Sequence, residues 1–250
     1  MNLFAEAIAW LADPTHWSGP GGIPTRVGQH LLITFAAVAI AAIVSIPSGV
    51  LIGHLRRGAG FIGAITGAAR AIPTLGLLTL FGLALGIGLT APLLALVILA
   101  IPSLLAGAYA GVQAVDPDLP GAARAIGMSP LQVVGRVEFP LALPVVVGGL
   151  RAATLQVVAT ATLAAYTSNL GLGRYLFAGL KSRDYAQMLA GALIVAVLAL
   201  VLELALAACQ RLAARRFARP GSHPRTGRRG ARSTDTTAIA TAASRKEVTP

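Results

Sequence analysis

The chain has 250 residues, of which 56% are hydrophobic and only 12% are charged, and its mean hydropathy is +0.76. This composition excludes an ordinary soluble domain and predicts an all-α integral membrane protein. Helices are expected because a lipid-exposed backbone must satisfy its own hydrogen bonds, and no ten-residue alternating segments indicate a barrel.

The first segment, residues 1–25, is predicted to lie outside the cytoplasm or at the membrane interface. Residues 1–12 contain Trp10 and are followed by Trp17, a pattern typical of a helix that lies in the interface. Glu6 and the lack of a basic start argue against a cleavable signal peptide.

Residues 26–210 are predicted to form one transmembrane domain of about five helices. The apolar stretch 71–115 would make a helix of about 68 Å, twice the hydrocarbon thickness. It is therefore expected to fold as a hairpin that turns at residues 86–92. The predicted spans lie near residues 30–53, 71–87, 91–112, 144–166 and 186–209.

The basic residues set the expected orientation in the membrane. Ten of them fall on one side of the predicted topology and four on the other, and the larger set is expected to face the cytoplasm. The amino terminus is then external and the carboxyl terminus cytoplasmic. The larger set is Arg56, Arg57, Arg70, Arg124, Arg136, Arg151, Arg211, Arg215, Arg216 and Arg219, and the smaller set is Arg26, Arg174, Lys181 and Arg183.

A polar stretch at residues 116–143 connects the third and fourth spans. Asp118 is predicted to start a short helix that Gly127 ends, and Ser129 with Pro130 is predicted to cap and start a second one. This helix-turn-helix knob is expected to project into the cytoplasm and to lodge in a cleft of a soluble motor. A connection that packs only on its own protein is the alternative. The residues expected to end the second helix before the fourth span are Pro140 and Pro144.

This stretch resembles the ATPase-contacting loop of the membrane subunits of bacterial ATP-binding-cassette importers, whose pattern is Glu-Ala-Ala, three residues, Gly, nine residues, Ile-x-Leu-Pro. The chain departs from the pattern at Gly121, where the family has Glu, and at Phe139, where it has Leu. In the family that glutamate makes polar contacts with the ATPase, so Arg124 or Arg136 is expected to compensate for its loss. The residues in register are Ala122, Ala123, Gly127, Val137 and Pro140.

The resemblance implies that this loop couples the chain to a separate ATPase. The contact residues it implies are Gly121, Ala122, Ala123, Arg124, Gly127, Arg136 and Pro140. No phosphate-binding loop is present, because Lys181 follows Leu180 and Lys246 follows Arg245. ATP is therefore expected on the partner subunit, and no cofactor, metal or catalytic residue on this chain. Because no enzymatic motif is found either, the chain is expected not to be an enzyme.

Three further stretches resemble the permeases for glycine betaine, choline, carnitine and related osmoprotectants: residues 13–24, residues 70–78, and residues 169–173 with 191–192. The resemblance implies the type I importer permease fold in the bacterial cytoplasmic (inner) membrane. It implies as partners a second permease copy or a paralogue, two ATPase subunits, an extracytoplasmic solute-binding protein and membrane lipids. A permease for methionine or another amino acid, and a membrane adaptor that moves no solute, are the alternatives.

Prolines in the spans are candidates for lining a solute pathway. A proline frees a backbone carbonyl and restricts the residue before it, so the helix break it causes can face a path. A proline that simply starts a helix is the alternative. The candidate pathway residues are Pro47, Pro73 and Thr74.

The external loop 168–184 is a candidate docking surface for the binding protein. Its glycines permit tight turns, although a plain surface loop explains them too. The candidate docking residues are Asn169, Gly171 and Gly173.

Glu203 is the one acid well inside a predicted span, and a structural or interfacial role is predicted for it. His30 is predicted to lie at the interface. A quaternary ammonium is commonly held by aromatic faces, and few rings lie in the spans, so selection is expected mainly in the binding protein. Those rings are Phe35, Phe81, Tyr109 and Tyr166.

The last segment, residues 213–250, is predicted to be a disordered basic cytoplasmic tail, because its Arg-, Gly-, Ser-, Thr- and Pro-rich sequence cannot bury a core. It supplies much of the formal net charge of +11 and is expected to attract anionic lipid. No aromatic platform accompanies it, so nucleic-acid binding is not expected. The single cysteine, Cys209, is interpreted as an apolar filler.

Overall fold

The computed structural model describes residues 2–217, and this part of the chain is helical, without a strand. Short 3₁₀-helices cover Pro14–Trp17 and Ala161–Tyr166, and a π-helical turn covers Val134–Glu138. The all-α prediction is confirmed. The α-helices are α1 Leu3–Ala12, α2 Ile23–His54, α3 Ala59–Ala71, α4 Thr74–Leu85, α5 Thr90–Gln113, α6 Asp118–Ala125, α7 Pro130–Val133, α8 Phe139–Thr160, α9 Gly173–Ser182 and α10 Tyr185–Phe217.

Four helical segments of the described chain are long and apolar enough to cross a membrane, and a bent pair, α3 with α4, makes up to five. The four are α2, α5, the run Pro130–Tyr166 and α10. The predicted count of about five is confirmed. The start of the first span is wrong: α2 begins at Ile23 rather than near residue 30, because the loop ends at Gly22 and Pro24 fits the first helical turn.

The second predicted span, residues 71–87, is wrong as a single helix. Its helix α4 has only 12 residues, and the axes of α3 and α4 differ by 79°. Pro73 causes the break, because a proline disfavours helical conformation in the residue before it, and Ile72 has ψ 119°. The hairpin turn is confirmed: α4 ends at Leu85, and Gly86 follows it with a positive φ.

The prediction that Pro140 and Pro144 end the second knob helix is also wrong. The helix continues from Pro130 to Tyr166, so residues 130–143 of the predicted loop form one continuous helical run with the fourth span. The physical reason is the π-helical turn just before Pro140. There the N–H of Phe139 bonds the oxygen of Val134, five residues back, and the widened turn accommodates a residue that has no N–H to donate.

The last helix is longer than predicted. α10 runs to Phe217 rather than to about residue 209, so residues 213–217 of the predicted tail are helical. The rest of the predicted disordered tail, residues 218–250, lies outside the described residues.

Helix α5 is the centre of the bundle and packs between α2 and α8 through glycines. A Cβ atom added to Gly49 of α2 would lie 2.7 Å from the Leu105 oxygen, and one added to Gly107 would lie 2.6 Å from the Gly149 Cα of α8. One turn further along, Gly53 of α2 packs against α5 and Gly111 of α5 packs against α8 in the same way. Small residues allow such close backbone approach, which favours helix association in lipid.

We expect Gly107→Ala to lower the Tm of the detergent-solubilised protein, because the added methyl group meets the α8 backbone rather than a movable side chain. Overpacking of this kind costs about 1–3 kcal/mol. The matched control is Gly60→Ala in α3, where no atom lies within 4 Å of the added methyl group. Thermal unfolding of both variants checks the prediction, and equal Tm values for the two would contradict it.

Candidate functional site

The knob between α5 and α8 is built by two local motifs. Gly127 ends α6 in the left-handed region at φ 89°, and its N–H donates to the Arg124 oxygen at 2.9 Å. Ser129 caps the next helix, with its hydroxyl accepting from the Gln132 N–H and its own N–H donating to the Gln132 side chain at 2.9 Å. The predicted helix stop at Gly127 and helix start at Ser129 are confirmed.

The predicted start of the first knob helix at Asp118 is confirmed. The residue before the helix is Pro117, and Asp118 is the first helical residue. Its N–H donates to the carboxylate of Asp116 at 3.0 Å, which satisfies one of the free N–H groups at the start of the helix. Asp118 keeps its predicted place near the positive end of the helix dipole.

The predicted contact residues of the knob divide into exposed and internal ones. Gly121 and Ala122 are exposed, whereas Ala123 is buried. Arg124 folds back onto its own helix, with Nε donating to the Pro120 oxygen at 3.2 Å. The structure therefore brings Gly121 and Ala122 to the knob surface, while the guanidinium of Arg124 is engaged within α6. Arg136, on the π-helical turn, is exposed, and Pro140 is half-buried at the start of α8.

Two large apolar side chains on the tip of the knob were not predicted as contact residues. Ile126 is 81% exposed and Leu131 is 82% exposed, on either side of the Gly127 turn. A sequence signal could have identified both residues: each is an apolar residue close to the turn that separates the two short knob helices. Two exposed apolar side chains at the tip of a polar connection are typical of an interaction surface.

The base of the knob is fixed to the end of α2. Glu138 is only 2% exposed, and its carboxylate pairs with His54 Nδ1 at 2.7 Å. Next to this pair, the Gln113 side chain donates to the Gly53 oxygen at 3.0 Å, and Arg56 donates to the Val115 oxygen at 3.1 Å. The knob is therefore bonded to the end of α2 in addition to its chain connections to α5 and α8.

A groove runs between α3, α5 and α8 in three adjoining cavities of about 10, 90 and 530 Å³. Thr74 lines the first cavity, while Thr66 and Ser103 line both the second and the third. The Ser103 hydroxyl donates to the Gln156 side chain at 3.0 Å. Of the predicted pathway residues, only Thr74 lines this groove. Pro73 lies at the helix break beside it, and Pro47 is exposed on α2.

At the other end of the groove lies an ion pair between two spans. Arg151 of α8 binds both carboxylate oxygens of Glu203 on α10, with its Nε donating to Oε2 at 2.8 Å. Its Nη1 donates to Gln210, which lines the groove, at 3.0 Å. The structural role predicted for Glu203 is thus explained by Arg151. Arg151 was counted among the loop charges, but it lies in the middle of α8.

The comparisons with known proteins agree with this architecture. The family model of the binding-protein-dependent transport system inner membrane component matches residues 45–219. The chain belongs to this family. The matched region of this chain includes the groove, the knob, the His54–Glu138 contact and the Arg151–Glu203 ion pair.

Several known proteins align with most of this chain. The choline transport system permease protein OpuBB of Bacillus subtilis (strain 168) is 34% identical over 76% of this chain and 88% of its own length. The glycine betaine/carnitine/choline transport system permease protein OpuCB of the same organism is 31% identical over the same shares. A crystal form of the inward-facing MetNI methionine ABC transporter has a similar fold, with a TM-score of 0.67 at 22% identity over 81% of this chain and 99% of that chain.

The end of the helix bundle opposite the knob is held together by polar residues of α2. Arg26 donates to the main-chain oxygen of Asn169, and Gln29 accepts from the Gly171 N–H at 3.1 Å. His30 is fully buried, with Nε2 2.9 Å from the Val158 oxygen, so the prediction that it lies at the interface is wrong. It bridges α2 to α8 instead.

This packing changes the interpretation of the predicted docking residues. Asn169 is exposed, but Gly171 and Gly173 are buried within the chain. A side chain on Gly173 would overlap the Thr162 backbone, so these glycines serve the fold rather than an outer surface. The exposed charges nearby belong to α9 and the turn after it, and they are Arg174, Lys181 and Arg183.

Helix α9 is seated on α1 and α10 by one aromatic residue. The Tyr175 hydroxyl donates to the Gly21 oxygen at 2.7 Å, and its ring packs edge-on against Trp10 at 5.2 Å. Burial raises the pKa of Tyr175 above its ordinary value, although the nearby Arg26 acts in the opposite direction. This anchoring fixes the charged face of α9 relative to the bundle.

Proposed function

We propose that this chain is the permease subunit of an ATP-driven importer for osmoprotectants such as glycine betaine, choline or carnitine. The observation that carries the proposal is the likeness to permeases named for these solutes, at 31–35% identity over 71–76% of the chain. ATP binds to a separate ATPase subunit, and this chain forms the solute path and receives the motion of the ATPase through the knob.

The tip of the knob supports docking to such an ATPase. Ile126 and Leu131 expose their side chains at the tip, and no neighbouring atom lies within 4 Å of a Cβ added to Gly121. In this proposal the contact is mainly apolar, since Gly121 replaces the glutamate of the family pattern. The knob side is cytoplasmic, and both the amino terminus and the α4–α5 turn lie toward the outside.

The outer surface offers a complementary site for a binding protein. Arg174, Lys181 and Arg183 are exposed on α9 and the following turn, and Asn169 is exposed beside them. Such a basic face fits acidic residues on the rim of a binding protein. A second permease copy completes the assembly by closing the open side of the groove.

We expect ATP-dependent uptake of radiolabelled glycine betaine or choline in proteoliposomes that hold this permease, its ATPase and its binding protein. An ATPase variant that lacks the phosphate-binding lysine is the control and should abolish uptake. Labelled methionine is tested in parallel. Uptake of methionine alone would reassign the solute, and a stable complex that moves no solute would identify a membrane adaptor instead.

The double variant Ile126→Ser/Leu131→Ser should bind the ATPase at least about tenfold more weakly, because each buried side chain contributes about 1.5–3 kcal/mol. The matched control is Leu83→Ser/Ile87→Ser at the α4–α5 turn, where both side chains are also exposed. Affinity is measured between the detergent-solubilised permease and the purified ATPase. Equal affinity of the two double variants would exclude docking through the tip.

Replacing Gly127 should uncouple ATP hydrolysis from transport. A β-branched residue at φ 89° is strained by about 1–2 kcal/mol, so Gly127→Val distorts the turn that presents the tip. The control Gly19→Val also places a β-branched residue at a positive φ, 79°, with no atom within 4 Å of the added Cβ, but it lies before the start of α2, away from the knob. We expect a higher ratio of ATP hydrolysed to solute imported for Gly127→Val only. A similar rise for both variants would assign the effect to general instability.

A further inference from the structure

The wide part of the groove between α3, α5 and α8 is lined by uncharged groups. Thr66 and Ser103 provide hydroxyls, Gln210 provides an amide, and Gly107 with Gly148 exposes backbone. The third cavity, of about 530 Å³, is large enough for a compact organic solute. No charged side chain is among its lining residues.

Gln210 is held at the knob-side end of this groove by three contacts. Its Oε1 accepts from Arg151 at 3.0 Å, and its Nε2 lies 3.4 Å from the Pro144 oxygen. Its amide also lies against Gly148, where an added Cβ atom would approach Nε2 to 2.8 Å. The side chain of Gln210, which belongs to α10, is therefore held against the first half of α8, the helix that continues directly from the knob.

The Arg151–Glu203 ion pair lies directly behind Gln210. The two side chains are 32% and 28% exposed, so neither charge is sealed from the surroundings of the groove. Because both carboxylate oxygens are engaged by the guanidinium, the pair presents little net charge to a solute. Removing one partner would leave the other as an uncompensated charge in an apolar span.

We propose that this groove is the solute path of the permease, that Gln210 contacts the passing solute, and that the Arg151–Glu203 pair neutralises the path for compact onium and zwitterionic solutes. The proposal rests on the proposed function, to which it adds the lining and the charge balance of the path. Gln210 contacts the solute, Arg151 positions the Gln210 amide, and Glu203 holds Arg151 in place and balances its charge.

The first test locates the path without transport. In a Cys209→Ala background, which removes the only cysteine, Ser103→Cys and Gln210→Cys should react with a methanethiosulfonate reagent that carries a trimethylammonium group. Leu204→Cys, an exposed apolar position of α10, is the control and should react at least about tenfold more slowly, because a thiol facing lipid does not ionise readily. Labelling is followed by mass spectrometry on the assembled transporter.

The second test examines the charge balance. Glu203→Gln leaves the Arg151 guanidinium without its partner. The ratio of glycine betaine uptake to choline uptake should therefore rise, because glycine betaine carries a carboxylate and choline does not. Arg151→Gln frees the carboxylate and should shift that ratio the other way, by several-fold in each case. A purely structural pair would lower both rates in parallel, which would overturn the charge-balance role.

The outcomes separate this inference from the proposed function. If wild-type uptake is seen but Ser103→Cys and Gln210→Cys are no more reactive than Leu204→Cys, the groove is not the path. If labelling follows the expected pattern and neither onium solute is imported, the solute assignment fails and the path stands. Since the labelled variants keep the ion pair intact, failure of Arg151→Gln to fold leaves the labelling and Glu203→Gln as decisive tests.

Discussion

The structure depends on one uninterrupted helical run that begins in the knob at Pro130 and continues through the membrane to Tyr166. Its continuity requires the π-helical turn Val134–Glu138, which accommodates Pro140 without a break. Because its backbone is continuously hydrogen-bonded, the second half of the knob and α8 form one helical element. The groove residues of α8 and the side chain of Gln210 lie on that same helix or against it.

Local signals in the sequence predicted the parts of the fold that depend on neighbours in the chain. Gly127 and Ser129 were correctly placed because a left-handed glycine and a helix cap act within four residues. The same local rules failed at Pro140, since a π-helical turn can absorb a proline that normally ends a helix. They failed again for α3. Its apolar residues form only half of a bent span, and that span can be recognised only when α3 and α4 are considered together.

The polar contacts that define the sites could not be predicted, because they join residues far apart in the chain. His54 and Glu138 are separated by 84 positions, and Arg151 and Glu203 by 52. In an apolar chain each such charge needs a partner, and the sequence gives no indication of which one. A rule that pairs each intramembrane acid with a basic residue in another span would have suggested Arg151 for Glu203, once Arg151 was placed inside α8.

The two polar contacts between distant residues have different consequences because of where they lie. The His54–Glu138 contact joins the knob to α2 through a buried carboxylate. The Arg151–Glu203 pair joins α10 to α8 further along the same helical run. Helix α5 packs against α2 and α8 through close glycine contacts. Under the proposed coupling function, a motion that enters at Ile126 and Leu131 therefore reaches four spans, and the groove changes shape as a unit rather than at a single residue.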